Sequence, residues 1–295
     1  MAITVKDFAM GRKTFFITPD LSLFPETYLE DYFSFGYECY FVENSKIIPL
    51  KEKIEIMIQI FHDIILIFNI DYNVEGINWA EYISELQKKY GDRVAIGVTF
   101  VKRADKDAKR KLEKMYLFDI GITCGCIQLE YQKSSNFIII QKMLNANQAQ
   151  GRRKNIRALC TKAYTFSFTY KGVLYNGTLQ DISLSHFSFI FPSGKLPIKD
   201  YEKIDEVTLH LKGLFIKSGA VLMMERASGE NILFVFAFVT ENGMNGLNDR
   251  YRQLIIPNMY QLMSSNCKNL MDKVISSRSD ENMLSRDVDD MEINL

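Results

Sequence analysis

Arg152, Arg153, Lys154 and Arg157 put four cationic side chains into six residues of a chain whose 36 Lys and Arg are balanced by 36 Asp and Glu. With no net charge to draw the whole molecule to nucleic acid or to an anionic membrane, a cluster of this kind is a local anion site. Arginine suits it, because the planar guanidinium bonds phosphate through two parallel N–H groups and stacks on aromatic faces. Further along, the segment DISLSH sets Asp181 and Ser183 two apart at the end of an expected strand, where both side chains can share a face. A carboxylate accepts the N–H edge of a base such as guanine, and a hydroxyl adds a contact to phosphate or base. Together the two segments have the chemistry to grip a phosphorylated purine.

Other chemistry-bearing residues read as structural. The five cysteines include a C-x-C at Cys124 and Cys126, but with only three histidines in the chain no metal site is expected. The run 102–114, with seven basic and three acidic residues, reads as a solvated helix face. No nucleophile elbow, P-loop or dinucleotide-binding glycine pattern occurs in the context it requires, so no enzyme is expected. The start, MAITVKDFAMGRK, lacks the apolar stretch of a signal peptide, and no run reaches the length of a membrane span; the expectation is a soluble cytoplasmic protein.

The elements that must position the cationic and acidic segments fall into two patterns. Over residues 1–147, apolar runs at 14–18, 38–42, 64–70, 94–101 and 122–129 alternate with helical periodicity near 26–34, 50–62, 79–90, 105–116 and 136–145. Near-continuous apolar runs such as IILIF belong to strands buried on both faces, and the alternation predicts a doubly wound parallel α/β sheet. In the second helix, Ile54, Met57, Ile58 and Phe61 are spaced to face that sheet. Residues 158–245 instead form a module almost free of helical periodicity and rich in Tyr, Phe, Val, Ile and Thr, broken by Gly and Pro, and runs at 157–170, 174–181, 187–191, 206–211, 214–226 and 232–239 predict a six-stranded antiparallel barrel. The arginine-rich stretch 148–157 links the two. A closing amphipathic helix is expected over 246–279, starting near Pro257 and facing inward through Ile256, Met259, Met263, Cys267, Leu270 and Val274, followed by a disordered acidic tail at 280–295.

An Arg-x-x-x-Arg segment (Arg153, Arg157), preceded by Arg152 and leading into a barrel that carries Asp-x-Ser (Asp181, Ser183), resembles the PilZ domain, a family that binds cyclic di-GMP. The resemblance covers roughly residues 148–245. It implies that the arginines hold phosphates and stack on guanine, that Asp181 and Ser183 hold the base edge, and that no other cofactor is needed. His186 stands where the family motif closes with glycine, a residue used for positive φ or close backbone approach; an imidazole there can itself stack or donate, and it joins the candidate site. Such receptors act on motility, chemotaxis or virulence through a protein partner, and a monomer or weak dimer is expected. A barrel that has lost the nucleotide and serves as a protein-interaction adaptor is the alternative.

The segment 1–147 resembles the receiver domain of response regulators, with an expected strand order 2-1-3-4-5. Phe68 occupies the position of the phosphoacceptor aspartate, and Asp71 lies three positions beyond it. Asp20 is the one acid after the first strand, Thr99 fits the hydroxyl position, and the fifth strand has no lysine. The resemblance therefore implies a pseudo-receiver, since phosphoryl transfer needs metal and lysine to hold its charge.

Overall fold

A computed structural model describes residues 11–18, 23–103, 105–194, 196–240 and 242–292, without the side chains of 278–292. The chain divides into two compact units, one running to Arg153 and resuming at Cys267, the other made of Lys154–Asn266 with Phe33–Gly36. Among the described residues no helix is long and apolar enough to cross a membrane.

The first unit alternates strand and helix: β1 (Thr14–Ile17), α1 (Thr27–Ser34), β2 (Cys39–Val42), α2 (Leu50–Ile60), β3 (Ile64–Asn69), α3 (Trp79–Tyr90), β4 (Val94–Val101), α4 (Lys106–Glu113), β5 (Gly125–Leu129) and α5 (Lys133–Ala146). The strands lie in the order β2-β1-β3-β4-β5, every pair parallel, which is the doubly wound order expected. Ile64 to Phe68 are all buried, as a central strand covered on both faces requires.

Helix α2 buries Ile54, Met57 and Ile58 as predicted, but it ends at Ile60. Phe61 has turned to extended backbone, φ −107° and ψ 137°, and stacks on Phe15 at 5.6 Å instead of continuing the helical stripe. Helix α4 is capped by Asp105, whose carboxylate accepts the Asp107 N–H at 2.8 Å. Such a cap satisfies a backbone donor that the first turn leaves open. The helix buries none of its side chains, in keeping with a solvated face. It widens into a π-helical turn, Lys114–Ile120, where the Tyr116 carbonyl accepts both the Gly121 and Ile122 N–H groups and the Tyr116 ring is buried. That extra turn delays the fifth strand to Gly125, whose φ of +104° suits glycine alone. Cys124 therefore precedes the strand, while Cys126 lies within it. Among the described residues no cluster of metal-binding side chains forms.

The end of α5 leads into the arginine segment under tight control. The Ala149 N–H bonds to the Leu144 carbonyl at 3.0 Å, the Arg12 N–H to the Ala149 carbonyl at 3.1 Å, and Gly11 bridges Gln150. A Cβ on Gly11, at φ +77°, would lie 2.4 Å from the Gly151 nitrogen and 2.5 Å from the Ala149 carbonyl. Gly11→Ala is expected to destabilise the first unit by about 1–3 kcal/mol, measured by urea unfolding, because it combines a positive φ with a backbone clash.

The second unit is built from β6 (Ala158–Leu159), β7 (Tyr164–Tyr170), β8 (Val173–Ile182), β9 (His186–Pro192), β10 (Lys203–Leu211), β11 (Leu214–Ser228) and β12 (Asn231–Val239). Strands β8-β7-β10-β11-β12-β9 pair antiparallel in that order, and β8 pairs with β9 to close a six-stranded barrel, with β6 added on the outer edge of β8. The run expected as one strand over 157–170 is thus two, β6 and β7. Hairpins turn at Lys171-Gly172 and Lys212-Gly213, where all four residues have positive φ, as tight two-residue turns demand. The interior is filled by stacked phenyl rings: Phe189 lies 3.9 Å from Phe166 and 5.4 Å from Phe236, which stacks on Phe187 at 5.4 Å.

The last helix, α6 (Asp249–Glu292), starts well before Pro257, with the Asn248 side chain accepting the Tyr251 N–H at 2.9 Å as its cap. Proline is accommodated inside the helix rather than opening it. The buried stripe is Ile255, Met259, Leu262 and Met263, whereas Leu270, expected inside, is 42% exposed. The backbone is helical to Glu292 where a disordered tail was expected from 280, since no glycine or proline interrupts this stretch and Glu, Met, Leu and Arg favour helix. Residues 293–295 lie outside the described residues.

Candidate ligand-binding site

The expected site residues of the second unit meet where β6, β8 and the start of β9 come together. Ala158 of β6 pairs with Ile182 of β8, and Leu159 with Asp181, so the short strand that follows Arg157 runs directly beside the acidic end of β8. A bulge in β8 between Leu179 and Asp181 breaks the register with β9, a device that re-aims the side chain at its end. Asp181 is half-buried beside Cys160, whose thiol is pushed up to about 12 by burial and then by the Asp181 carboxylate. Both effects favour the protonated thiol at neutral pH.

His186 opens β9, pairing with Ala237 of β12, and its φ is not in the positive region. The position that resembles the family's glycine therefore makes no demand on the backbone that histidine cannot meet. Burial, then the positive charge of Arg157, lowers the pKa of His186 below the usual imidazole range, while the Asp181 carboxylate acts in the opposite sense. One imidazole thus senses a cation from the lead-in and an anion from β8, which places Arg157, Asp181 and His186 in one electrostatic neighbourhood.

Ser183 is used differently from the expectation. The strand ends at Ile182, and Ser183 begins the tight turn that reverses the chain into β9: its N–H bonds to the His186 carbonyl at 2.7 Å, and its hydroxyl accepts the His186 N–H at 2.9 Å while donating to the His186 carbonyl at 3.1 Å. The residue is 2% exposed. Its hydroxyl shapes the turn instead of sharing a strand face with Asp181.

Arg152 and Arg153 are exposed, at the end of the first unit, and Arg157 is half-buried in the second. Two side chains that sequence reasoning missed complete the surroundings of His186. Asn155 donates from Nδ2 to the Ser185 hydroxyl at 2.9 Å, and that hydroxyl lies 2.7 Å from His186 Nδ1. Both occupy positions between the charged motif residues, where polar type alone carried no signal.

The first unit does not assemble phosphoacceptor chemistry among its described residues. Phe68 is fully buried and packs on Trp79 at 5.5 Å. The Asp71 carboxylate is taken up by the Val101 N–H at 2.6 Å and by an ion pair with Arg103. Thr99 donates to the Phe68 carbonyl at 3.5 Å. Asp20 lies outside the described residues. The crevice at the carboxyl ends of the strands, bounded by Thr18, Asn69, Thr99, Phe24 and Leu129, has a volume of about 30 Å³.

No family model matches the chain, and no curated protein does. Among solved structures it is similar to Escherichia coli YcgR in complex with c-di-GMP, at 14% identity over 42% of this chain and 51% of that one, with a TM-score of 0.34. It is similar to the Bacillus subtilis inhibitor of motility MotI/DgrA at 14% identity, 40% and 52% coverage and a TM-score of 0.31. The PilZ domain of Escherichia coli YcgR with c-di-GMP matches at 14% identity over 41% of this chain and 98% of that domain, with a TM-score of 0.32. The matched region spans about half the length of the first two of these proteins.

Proposed function

We propose that this protein is a cyclic di-GMP receptor, not an enzyme, in which the segment carrying Arg152, Arg153 and Arg157 and the barrel edge carrying Asp181 and His186 bind the nucleotide together. The observation that carries this reading is the meeting of Arg157, Asp181 and His186 beside β6 and β8 in a unit whose interior is packed with phenyl rings, so that a ligand can be held only at the barrel surface. The arginines supply phosphate and base-stacking contacts, Asp181 accepts from the guanine edge, and Ser183 holds the turn on which His186 is mounted. A dinucleotide touching the arginine segment and the barrel at once would order that segment and reorient the two units, and a protein partner would read the change in control of motility, chemotaxis or virulence. The first unit, 1–147, acts in this reading as a pseudo-receiver, with 148–157 as linker, 158–245 as barrel, 246–279 as closing helix and 280–295 as tail.

A second reading, a barrel that contacts a protein without nucleotide, is favoured by one observation: the Ser183 hydroxyl is already spent inside its own turn. Isothermal titration calorimetry of the full chain with cyclic di-GMP separates the two. A dissociation constant in the low micromolar range or tighter, with Asp181→Ala weakening it at least about tenfold, is expected. Absence of heat at several temperatures from a folded protein would move the adaptor reading to the front.

A further inference from the structure

We propose that Asn155 and Ser185 are positioning residues that lock His186 in the tautomer with its proton on Nε2, making the ring a fixed hydrogen-bond donor toward an acceptor edge of the ligand. The inference rests on the nucleotide-receptor reading and assigns to that site a base-discriminating group. It follows from counting protons around the turn. Ser183 has one hydroxyl proton, committed to the His186 carbonyl at 3.1 Å, and its oxygen accepts the His186 N–H at 2.9 Å and faces the Ser185 N–H at 3.4 Å. Asn155 Nδ2 fills one lone pair of the Ser185 oxygen at 2.9 Å. The Ser185 hydroxyl proton then has two acceptors to choose from, Ser183 Oγ at 3.5 Å, already occupied, and His186 Nδ1 at 2.7 Å. A ring protonated on Nδ1 would instead donate into the Ser185 oxygen and leave the hydroxyl proton only the occupied Ser183 oxygen at 3.5 Å or solvent. The arrangement that keeps the hydroxyl proton in a short contact has Nδ1 accepting, which leaves the ring proton on Nε2.

Two further features fit. Nε2 has no hydrogen-bond partner among the described residues, yet it is not one of the buried polar atoms left without one, so it is open to an incoming group. The charged groups acting on the ring are Arg157 from the lead-in and Asp181 from β8, and burial together with Arg157 keeps the imidazole neutral near pH 7, the state in which the tautomer has meaning. The backbone of Ser185 is itself fixed, its carbonyl accepting the Phe238 N–H at 2.9 Å. A neutral donor directed at the six-position of the base matches the O6 acceptor of guanine and opposes the N6 amino group of adenine, whereas N7 accepts in both.

The test uses the full chain without ligand first. Long-range ¹H–¹⁵N correlation spectra at pH 7.5, with His186 assigned by loss of its signals in His186→Gln, are expected to show an Nε2–H ring in the native protein. A tautomer mixture is expected in Ser185→Ala, a partial shift in Asn155→Ala, and return of the native pattern in Ser185→Thr. A native ring protonated on Nδ1, or a Ser185→Ala spectrum identical to native, would overturn the proposal whether or not any nucleotide binds. Titrations with cyclic di-GMP and cyclic di-AMP form the second arm, and there Ser185→Ala is expected to lower the preference for the guanine ligand about tenfold. If the native spectrum is as expected and neither nucleotide binds, the receptor reading fails while the locked ring stands. If cyclic di-GMP binds but Ser185→Ala leaves the preference unchanged, the discriminating role falls.

Discussion

Arg157→Ala is expected to weaken cyclic di-GMP binding by about a hundredfold and, in the same protein, to raise the pKa of His186. The first effect is the loss expected for the proposed bidentate, charge-assisted contact, in which each hydrogen bond to a charged group contributes about 1.5–3 kcal/mol. The second follows from the position of Arg157 beside the ring, where its charge depresses protonation of the imidazole. The direction for stability is fixed by the same fact. The pKa of His186 is depressed in the folded state, so its contribution is present above the ordinary histidine pKa and is lost as pH falls through the lower, folded value. Without Arg157 the depression is smaller, and the variant loses less stability than the native protein on acidification from pH 7 to 5. The C2–H proton shift of His186 as a function of pH, beside a calorimetric titration, measures both. Unchanged affinity would remove Arg157 from the site. Lost affinity with an unmoved His186 pKa would place the ligand contact of Arg157 away from this ring.

Phe189→Ala is expected to cost the barrel about 3–5 kcal/mol, the range for emptying a large aromatic site in a closed core. The ring is fully buried and is surrounded by Phe166, Phe234, Phe236 and Phe187 at centroid distances of 3.9, 5.7, 5.4 and 6.4 Å, so its neighbours cannot close the gap without leaving their own stacks. Phe215→Ala is the matched control, because that ring is 61% exposed. Its loss is expected to change stability by less than about 0.5 kcal/mol, as at other surface positions. Because the chain has two compact units, a single unfolding midpoint would blur the result. Hydrogen exchange of peptides from β8, β9 and β12 reads the barrel alone, and full protection of those peptides in Phe189→Ala would show the core to be far more plastic than its packing implies.

The barrel strands were legible because their runs are rich in aromatic and β-branched residues without helical periodicity, as in β7, where Tyr164, Phe166, Phe168 and Tyr170 are buried and alternate with Thr165, Ser167 and Thr169. The parallel sheet was legible for another reason: IILIF has no polar face to show. What stayed hidden depended on backbone turns with no local signature. The π-helical turn before Gly121 reads as ordinary helix in KMYLFDI, and Phe61 reads as one more helical apolar residue although the chain has already straightened. At the candidate site, Arg157 and Asp181 were conspicuous because one belongs to a cluster of four cations in six residues and the other to the Asp-x-Ser that follows it. Asn155 and Ser185 were not, since their importance lies in which lone pairs remain vacant after the turn has formed, and that is decided by geometry between residues 30 apart.

The chain's one tryptophan, Trp79, is buried at the head of α3, with its indole N–H bonded to the Tyr72 carbonyl at 2.6 Å, in the first unit. The barrel, rich in phenylalanine, has none. The molecule therefore carries a built-in optical reporter in the α/β unit. Its emission reports on the α/β unit that surrounds it, and a change on adding cyclic di-GMP that exceeds the ligand's own absorption and is lost in Arg157→Ala would show that this unit responds to the nucleotide.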